Sequence, residues 1–167
     1  DCRIKKCYAG IAHVSVTGAG RVKKALIDNN YFDDCTYPYY DAQGQGASTS
    51  ITNNYFRDFD EIGITFGSGT GLCITGNTFD IGSAAWDTYT GALTTNNPIF
   101  CGAASTQITA VSNNFISGDT EANARGKLFY HASPSTTASY LFADPYDGIY
   151  TDVATRWYGG LLLKQHT

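Results

Sequence analysis

The 167-residue chain has no methionine, only 4 prolines and a charged fraction of just 16%. No apolar run approaches the roughly 18–20 residues that a membrane-spanning helix needs, so no segment of this sequence is expected to cross a membrane as a helix. Basic residues are not clustered. The net charge is −4, the 11 Lys and Arg are scattered, and only Lys5-Lys6 and Lys23-Lys24 form pairs. Nucleic-acid binding needs a basic face, and none is expected. The five cysteines, Cys2, Cys7, Cys35, Cys73 and Cys101, contain no C-x-x-C and no zinc spacing. Buried, reduced thiols of a cytoplasmically made protein are expected, with one disulfide, Cys2–Cys7, as the alternative. No Asn-x-Ser/Thr acceptor occurs, which speaks against a eukaryotic secreted glycoprotein. Nothing in the opening residues has the form of a signal peptide. Asp-Cys-Arg-Ile-Lys is no natural start, so a fragment of a longer chain is expected.

What is abundant is Gly (18), Tyr (12) and Phe (9), set among Asn, Thr and Ser between short β-branched or aromatic runs. That composition reads as all-β. Four segments line up: Ile27-Asp-Asn-Asn30-Tyr-Phe32, Ile51-Thr-Asn-Asn54-Tyr-Phe56, Ile74-Thr-Gly-Asn77-Thr-Phe79 and Val111-Ser-Asn-Asn114-Phe-Ile116. Aligned on the Asn at 30, 54, 77 and 114, they are spaced by 24, 23 and 37 residues. Self-similarity near this period indicates stacked repeats. Leucine-rich and helical repeats do not fit, because neither the fixed Leu offsets nor a 3.6 period is present.

The expected fold is all-β, a right-handed parallel β-helix of about five coils over residues 1–132, with a C-terminal capping segment over 133–167. Ile27, Ile51, Ile74 and Val111 should form one inward row, and Phe32, Phe56, Phe79 and Ile116 another. Stacked Asn at a tight turn can hydrogen-bond along the stack, so the Asn row reads as structural. Ala9-Gly-Ile11 resembles Ile62-Gly-Ile64, and Leu128-Phe-Tyr130 opens a further coil. Matching Ile62-Gly-Ile64 with Ile99-Phe-Cys101 puts a 14-residue insertion within Asp80 to Pro98. In the tail, Trp157 and Leu161 to Leu163 either cap the last coil or pack at a subunit interface.

Over roughly residues 4–130 the pattern resembles the pectin-lyase-like superfamily of right-handed parallel β-helices. That superfamily includes lyases, hydrolases, epimerases and phage tailspikes, so the resemblance fixes a fold better than a function. The aromatic, Gly/Thr/Ser-rich composition and the unpaired Cys are most like a bacteriophage tailspike or tail-fibre protein. This resemblance implies a homotrimer in the virion tail that binds, and in some members cleaves, host surface polysaccharide. Two alternatives are an extracellular polysaccharide lyase or glycoside hydrolase of the same fold, and a purely structural fibre.

Aligning the coils places side chains of neighbouring coils side by side. Asp34 and Asp58 fall in one column, about 4.8 Å apart if one coil separates them. That spacing suits the carboxylate pair of a retaining glycosidase, so Asp34 and Asp58 are the candidate catalytic residues, with solvated turn residues as the alternative. Asp33, Arg57 and Asp80 fall in the adjacent column and read either as a second acid pair or as an exposed ionic ladder. The insertion carries Trp86, Asp87 and Tyr89, candidates for carbohydrate contact from a loop on a rigid scaffold; alternatively Trp86 folds back onto the wall. His13, His131 and His166 show no partner spacing. The Gly-rich stretches at 17–20 and 67–71 open no helix and read as turns. No cofactor and no metal site is expected, since no dense Asp/Asn calcium loop occurs.

Overall fold

The computed structural model describes residues 1–13, 24–41, 46–67, 69–87, 96–102, 106–119 and 127–132, and the backbone of strands at 139–143, 148–151, 157–158 and 162–165. The described residues contain strands and turns but no helix. A first pass of the chain gives β1 (Arg3–Lys5), β2 (Ala9–His13) and β3 (Ala25–Asp28). A second gives β4 (Tyr31–Asp33), β5 (Tyr37–Asp41), β6 (Gly46–Ala47) and β7 (Thr49–Thr52). A third gives β8 (Tyr55–Arg57), β9 (Ile62–Phe66) and β10 (Gly69–Thr75), and a fourth β11 (Thr78–Asp80), β12 (Asn97–Cys101) and β13 (Thr106–Val111). Then follow β14 (Asn114–Ile116), β15 (Phe129–His131), β16 (Ser139–Ala143), β17 (Gly148–Thr151), β18 (Trp157–Tyr158) and β19 (Leu162–Gln165).

These strands stack into three sheets. The first runs β1-β4-β8-β11-β14, the second β2-β5-β9-β12-β15-β17-β18, and the third β3-β7-β10-β13-β16-β19, with β6 also on β10. All pairings up to β17 are parallel; only β18 on β17 and β19 on β16 are antiparallel. Non-sequential parallel neighbours stacked in register in three sheets are consistent with a β-helix or related solenoid.

The first sheet shows how sequence becomes packing. Tyr31-Phe32-Asp33 and Tyr55-Phe56-Arg57 alternate, so the middle residue points inward and its neighbours outward. Phe32, Phe56 and Phe79 are fully buried. Their rings stack with centroids 5.0 Å apart at each step, and Phe79 continues onto Phe115 at 5.2 Å. In the third sheet Ile27, Ile51 and Ile74 align in register and are buried.

A row of asparagines joins these two inward columns. Asn30, Asn54 and Asn77 accept through Oδ1 from the backbone N–H of Cys2, Asn30 and Asn54, at 3.1, 2.9 and 3.0 Å. Asn113 Oδ1 accepts from the N–H of Asn77 at 3.1 Å. The amide nitrogens donate to carbonyls of the neighbouring pass: Asn54 to Ile27, Asn77 to Ile51 and Asn113 to Ile74. The residue before each of these asparagines has positive φ: Asn29 (56°), Asn53 (54°), Gly76 (66°) and Ser112 (57°). The left-handed position therefore belongs to the residue before the ladder, and Asn or Gly meets its steric demand best.

This geometry corrects the expected register of the fourth segment by one residue. Asn113, not Asn114, joins the ladder, so the intervals are 24, 23 and 36. Ile74 lies beside Ala110, Phe79 beside Phe115, and Val111 beside Thr75. Ile116 is exposed beside Asp80. Bonding the buried Asn113 amide to the Asn77 N–H, the Asn77 Nδ2 and the Ile74 carbonyl, and completing the Phe stack, outweigh placing Val111 and Ile116 inward. In the second sheet Ile64 pairs with Ile99 and Asn97 with Ile62. Phe79 to Ile99 spans 20 positions against 8 from Phe56 to Ile64, so the insertion there is 12 residues rather than 14. One further residue enters between Cys101 and Thr106, where the earlier pass runs from Phe66 to Thr70.

Gly63 is required by close approach: a Cβ there would lie 2.8 Å from the Pro98 carbonyl and 3.0 Å from the Phe79 ring. At the far end of the second sheet His13, Asp41, Phe66, Cys101 and His131 form one column. His13 Nδ1 lies 3.6 Å from Asp41 Oδ2, and His131 Nε2 lies 2.9 Å from the Gly102 carbonyl oxygen. Burial pushes the His131 imidazole down to about 4.

The register gives a direct test. Asn113→Ala is expected to destabilise the chain by about 1–3 kcal/mol, because it strands buried donors and acceptors. Asn114→Ala, at an exposed position, should stay within about 0.5 kcal/mol. Urea unfolding of the two variants checks this; a larger loss at Asn114 would restore the register expected from sequence.

Candidate functional site

The outward face of the first sheet carries the candidate site. Its strands are short, and each presents two outward side chains on either side of one inward residue, Ile4 in β1 and a phenylalanine in the others. Register places Arg3, Tyr31, Tyr55 and Thr78 in one column. Lys5, Asp33, Arg57 and Asp80 form the other, with charge alternating in sign along it. Lys5 Nζ approaches Asp33 Oδ2 to 2.6 Å, and Arg3 Nη2 stands 3.9 Å from the same oxygen. The hydrogen bond from Lys5 holds the Asp33 carboxyl below the usual carboxylate range. Alternating charge relieves the repulsion that stacked acids would suffer one strand apart. The expected Asp33–Arg57–Asp80 column is thus present, extended at one end by Lys5.

The tyrosine column is bound into the same network. Tyr31 and Tyr55 stack with centroids 5.3 Å apart and planes 12° from parallel. The Arg3 guanidinium carbon lies 4.9 Å from the Tyr31 centroid, within cation–π range. Tyr55 donates its hydroxyl to Asp80 Oδ2 at 2.5 Å, and that bond pushes the phenol up to about 12. A hydrogen bond with Tyr31 raises the Arg57 guanidinium further. Ring faces are turned along the stack toward one another and toward Arg3, so hydroxyls and charges are what the wall offers outward.

Asp34 and Asp58 follow the two strands and occupy the turn. Both have positive φ, 57° and 47°, as does Lys6 in the preceding pass, 50°. Asp34 N–H donates to the Arg57 carbonyl and Asp58 N–H to the Asp80 carbonyl. The two carboxylates therefore stand one strand apart, in the column expected from sequence. Each has a cation beside it: Lys6 Nζ is 3.9 Å from Asp34 Oδ2, and Arg57 Nε is 3.0 Å from Asp58 Oδ2. Their side chains are 53% and 49% exposed. A general acid that holds its proton at neutral pH is usually covered by apolar groups, and these two lack such cover.

The insertion leaves the first sheet after β11. Its Trp86 is only 1% exposed. The indole stacks on Phe59 at 6.2 Å and meets Phe115 edge-on at 6.3 Å. The Trp86 backbone N–H donates to Asp119 Oδ2 at 2.7 Å, and Lys127 Nζ lies 3.5 Å from that oxygen. The ring thus occupies a corner of the interior, so its faces are covered by protein instead of being presented to a sugar. Asp87 is half-buried, its N–H donating to the Asn96 carbonyl at 3.4 Å. Tyr89 lies outside the described residues.

Among the described residues no group of three His, Cys, Asp or Glu side chains is gathered closely enough to hold a metal ion. Sequence reasoning missed the Tyr31–Tyr55 column and the basic residues Arg3 and Lys5. The signal was available in the alternation around Phe32 and Phe56, which puts Tyr on the same side as Asp33 and Arg57. Comparison of the chain with protein-family models, with curated proteins and with solved structures yields no match.

The burial of Trp86 carries its own expectation. Trp86→Ala should cost about 3–5 kcal/mol of stability, the range for a buried large aromatic, read as a lowered urea midpoint. An unchanged midpoint would mean that the indole contributes nothing to the core.

Proposed function

We propose that the chain binds an extended bacterial surface polysaccharide along the outward wall of the first sheet, as a segment of a bacteriophage tailspike or tail fibre. In this reading it belongs with the pectin-lyase-like right-handed parallel β-helices and assembles as a homotrimer on the virion tail. One observation carries the proposal. The wall repeats polar groups in register, Tyr31 and Tyr55 in one column and Lys5, Asp33, Arg57 and Asp80 in the next. A polymer laid across the strands meets a hydrogen-bonding group every ~4.8 Å. Carboxylates and guanidinium groups are suited to the paired hydroxyls of sugars. In the same reading the antiparallel strands β18 and β19 close the exposed edges of the last parallel strands, as a cap or subunit contact would.

Asp34 and Asp58 are the residues that would carry hydrolysis, one as acid and base, the other as nucleophile, because one strand separates them. A second reading, a structural fibre without a sugar site, draws on the mutual pairing of the wall charges, Lys5 with Asp33 and Arg57 with Asp58. The two readings separate experimentally. On an array of bacterial surface polysaccharides, the parent chain should bind a defined subset. Arg57→Ala and Asp58→Asn should each weaken that binding roughly tenfold, equivalent to about 1.4 kcal/mol, with the urea midpoint little changed. If the wall also cleaves, Asp58→Asn abolishes release of new sugar ends. No binding by the parent across the array contradicts the proposal and leaves the structural fibre.

A further inference from the structure

Where the first sheet turns into the second, one inward corner column runs through Cys7, Cys35, Phe59 and Trp86. Cys35 and Phe59 are buried, and Phe59 stacks on Trp86. In the first two passes the same corner holds two thiols in place of rings. Cys7 and Cys35 are in register, since Ala9 pairs with Tyr37. The backbone around them is tied by Thr36 N–H to the Cys7 carbonyl at 3.0 Å and Tyr37 N–H to the Tyr8 carbonyl at 2.8 Å. Adjacent strands lie ~4.8 Å apart, inside the window of Cα separations that a disulfide spans. The two Sγ atoms are 3.2 Å apart, and both thiols are free.

We propose that Cys7 and Cys35 are a redox-active pair that closes into a disulfide across the first two passes when the protein meets a small-molecule disulfide. Cys2–Cys7 is the alternative to free thiols that the sequence leaves open, but Cys2 is exposed and lies in the ladder column beside Asn30. Cys7, in the first pass, is partly exposed, so an oxidant reaches it; Cys35 is buried directly beneath. The Cys7 thiolate attacks one sulfur of glutathione disulfide, forming a mixed disulfide and releasing one glutathione thiolate, which takes up the proton. Cys35 then gives up its proton, attacks the Cys7 sulfur and expels the second glutathione. Two protein thiols are oxidised to one disulfide, and one glutathione disulfide is reduced to two thiols. The link pins the Lys6–Asp34 end of the wall, because each cysteine follows one member of that ion pair. It is independent of the glycan reading.

The test is to incubate the folded chain with glutathione disulfide at mildly alkaline pH. Burial and the neighbouring Cys35 sulfur push the Cys7 thiol up to about 11, and only the thiolate attacks. Denaturation with alkylation, intact mass and peptide mapping then locate the cysteines. The expected result is the loss of two hydrogens, a Cys7–Cys35 linked peptide, and slower hydrogen exchange in β1 and β2. Cys2→Ser should leave all three unchanged. Cys35→Ser should stop at a stable glutathione adduct on Cys7. A Cys2–Cys7 link in the parent, or recovery of Cys7 and Cys35 both alkylated in the parent or in Cys2→Ser, overturns the proposal.

Discussion

The amide side chains of Asn30, Asn54, Asn77 and Asn113 stand where the third sheet turns into the first, and the rest of the architecture depends on how they are satisfied. Asn77 is fully buried and Asn54 and Asn113 nearly so. A buried amide without partners costs roughly 1–3 kcal/mol. Here neighbouring asparagines bond to one another through backbone and side chain, the nitrogens of Asn54, Asn77 and Asn113 reach a carbonyl of the neighbouring pass, and that of Asn30 reaches the Asp28 carbonyl. Displacing one pass along its strand by a single residue would break these bonds and turn every inward side chain of that pass outward. The ladder therefore selects one register among several that hydrophobic burial alone would tolerate.

From that register the two sides of the first sheet follow together. With the asparagines fixed, Phe32, Phe56, Phe79 and Phe115 must stack inside. The residues flanking them must then line up outside as Tyr31 over Tyr55 and as Lys5, Asp33, Arg57 and Asp80 in alternating charge. The left-handed turn after the strand presents Asp34 and Asp58 at one edge of this wall. The wall is thus the outer face of the core packing, and its chemistry cannot be moved without moving the core. This coupling lets a regular repeat hold polar groups at fixed spacing along a surface without dedicated loops.

Much of this was legible in the sequence because the period is short and the inward residues are unambiguous: Ile27, Ile51 and Ile74 with Phe32, Phe56 and Phe79 define three passes and place Asp34 beside Asp58. The fourth pass was misread by one residue because Asn113 and Asn114 both fit the template, as do Phe115 and Ile116. Only the hydrogen bonds to Ile74 and Asn77 distinguish them. Trp86 was misleading for a related reason. An aromatic in an insertion suits a binding loop, but the corner above Phe59 exists only once the passes are stacked. The Cys7–Cys35 contact was likewise hidden, because their separation of 28 positions differs from the 24 that separate Asn30 and Asn54 through extra chain in the first pass.

The central claim is that neighbouring asparagines act as one bonded ladder and not as separate turn residues. A double-mutant cycle on Asn54→Ala and Asn77→Ala, read by urea unfolding, tests it most directly. The two side chains share the bond from Asn54 Nδ2 to Asn77 Oδ1, so the account predicts a coupling of about 1 kcal/mol or more. Effects that add to within about 0.3 kcal/mol would show that each asparagine serves only its own turn, and would contradict the ladder as the constraint that sets the register.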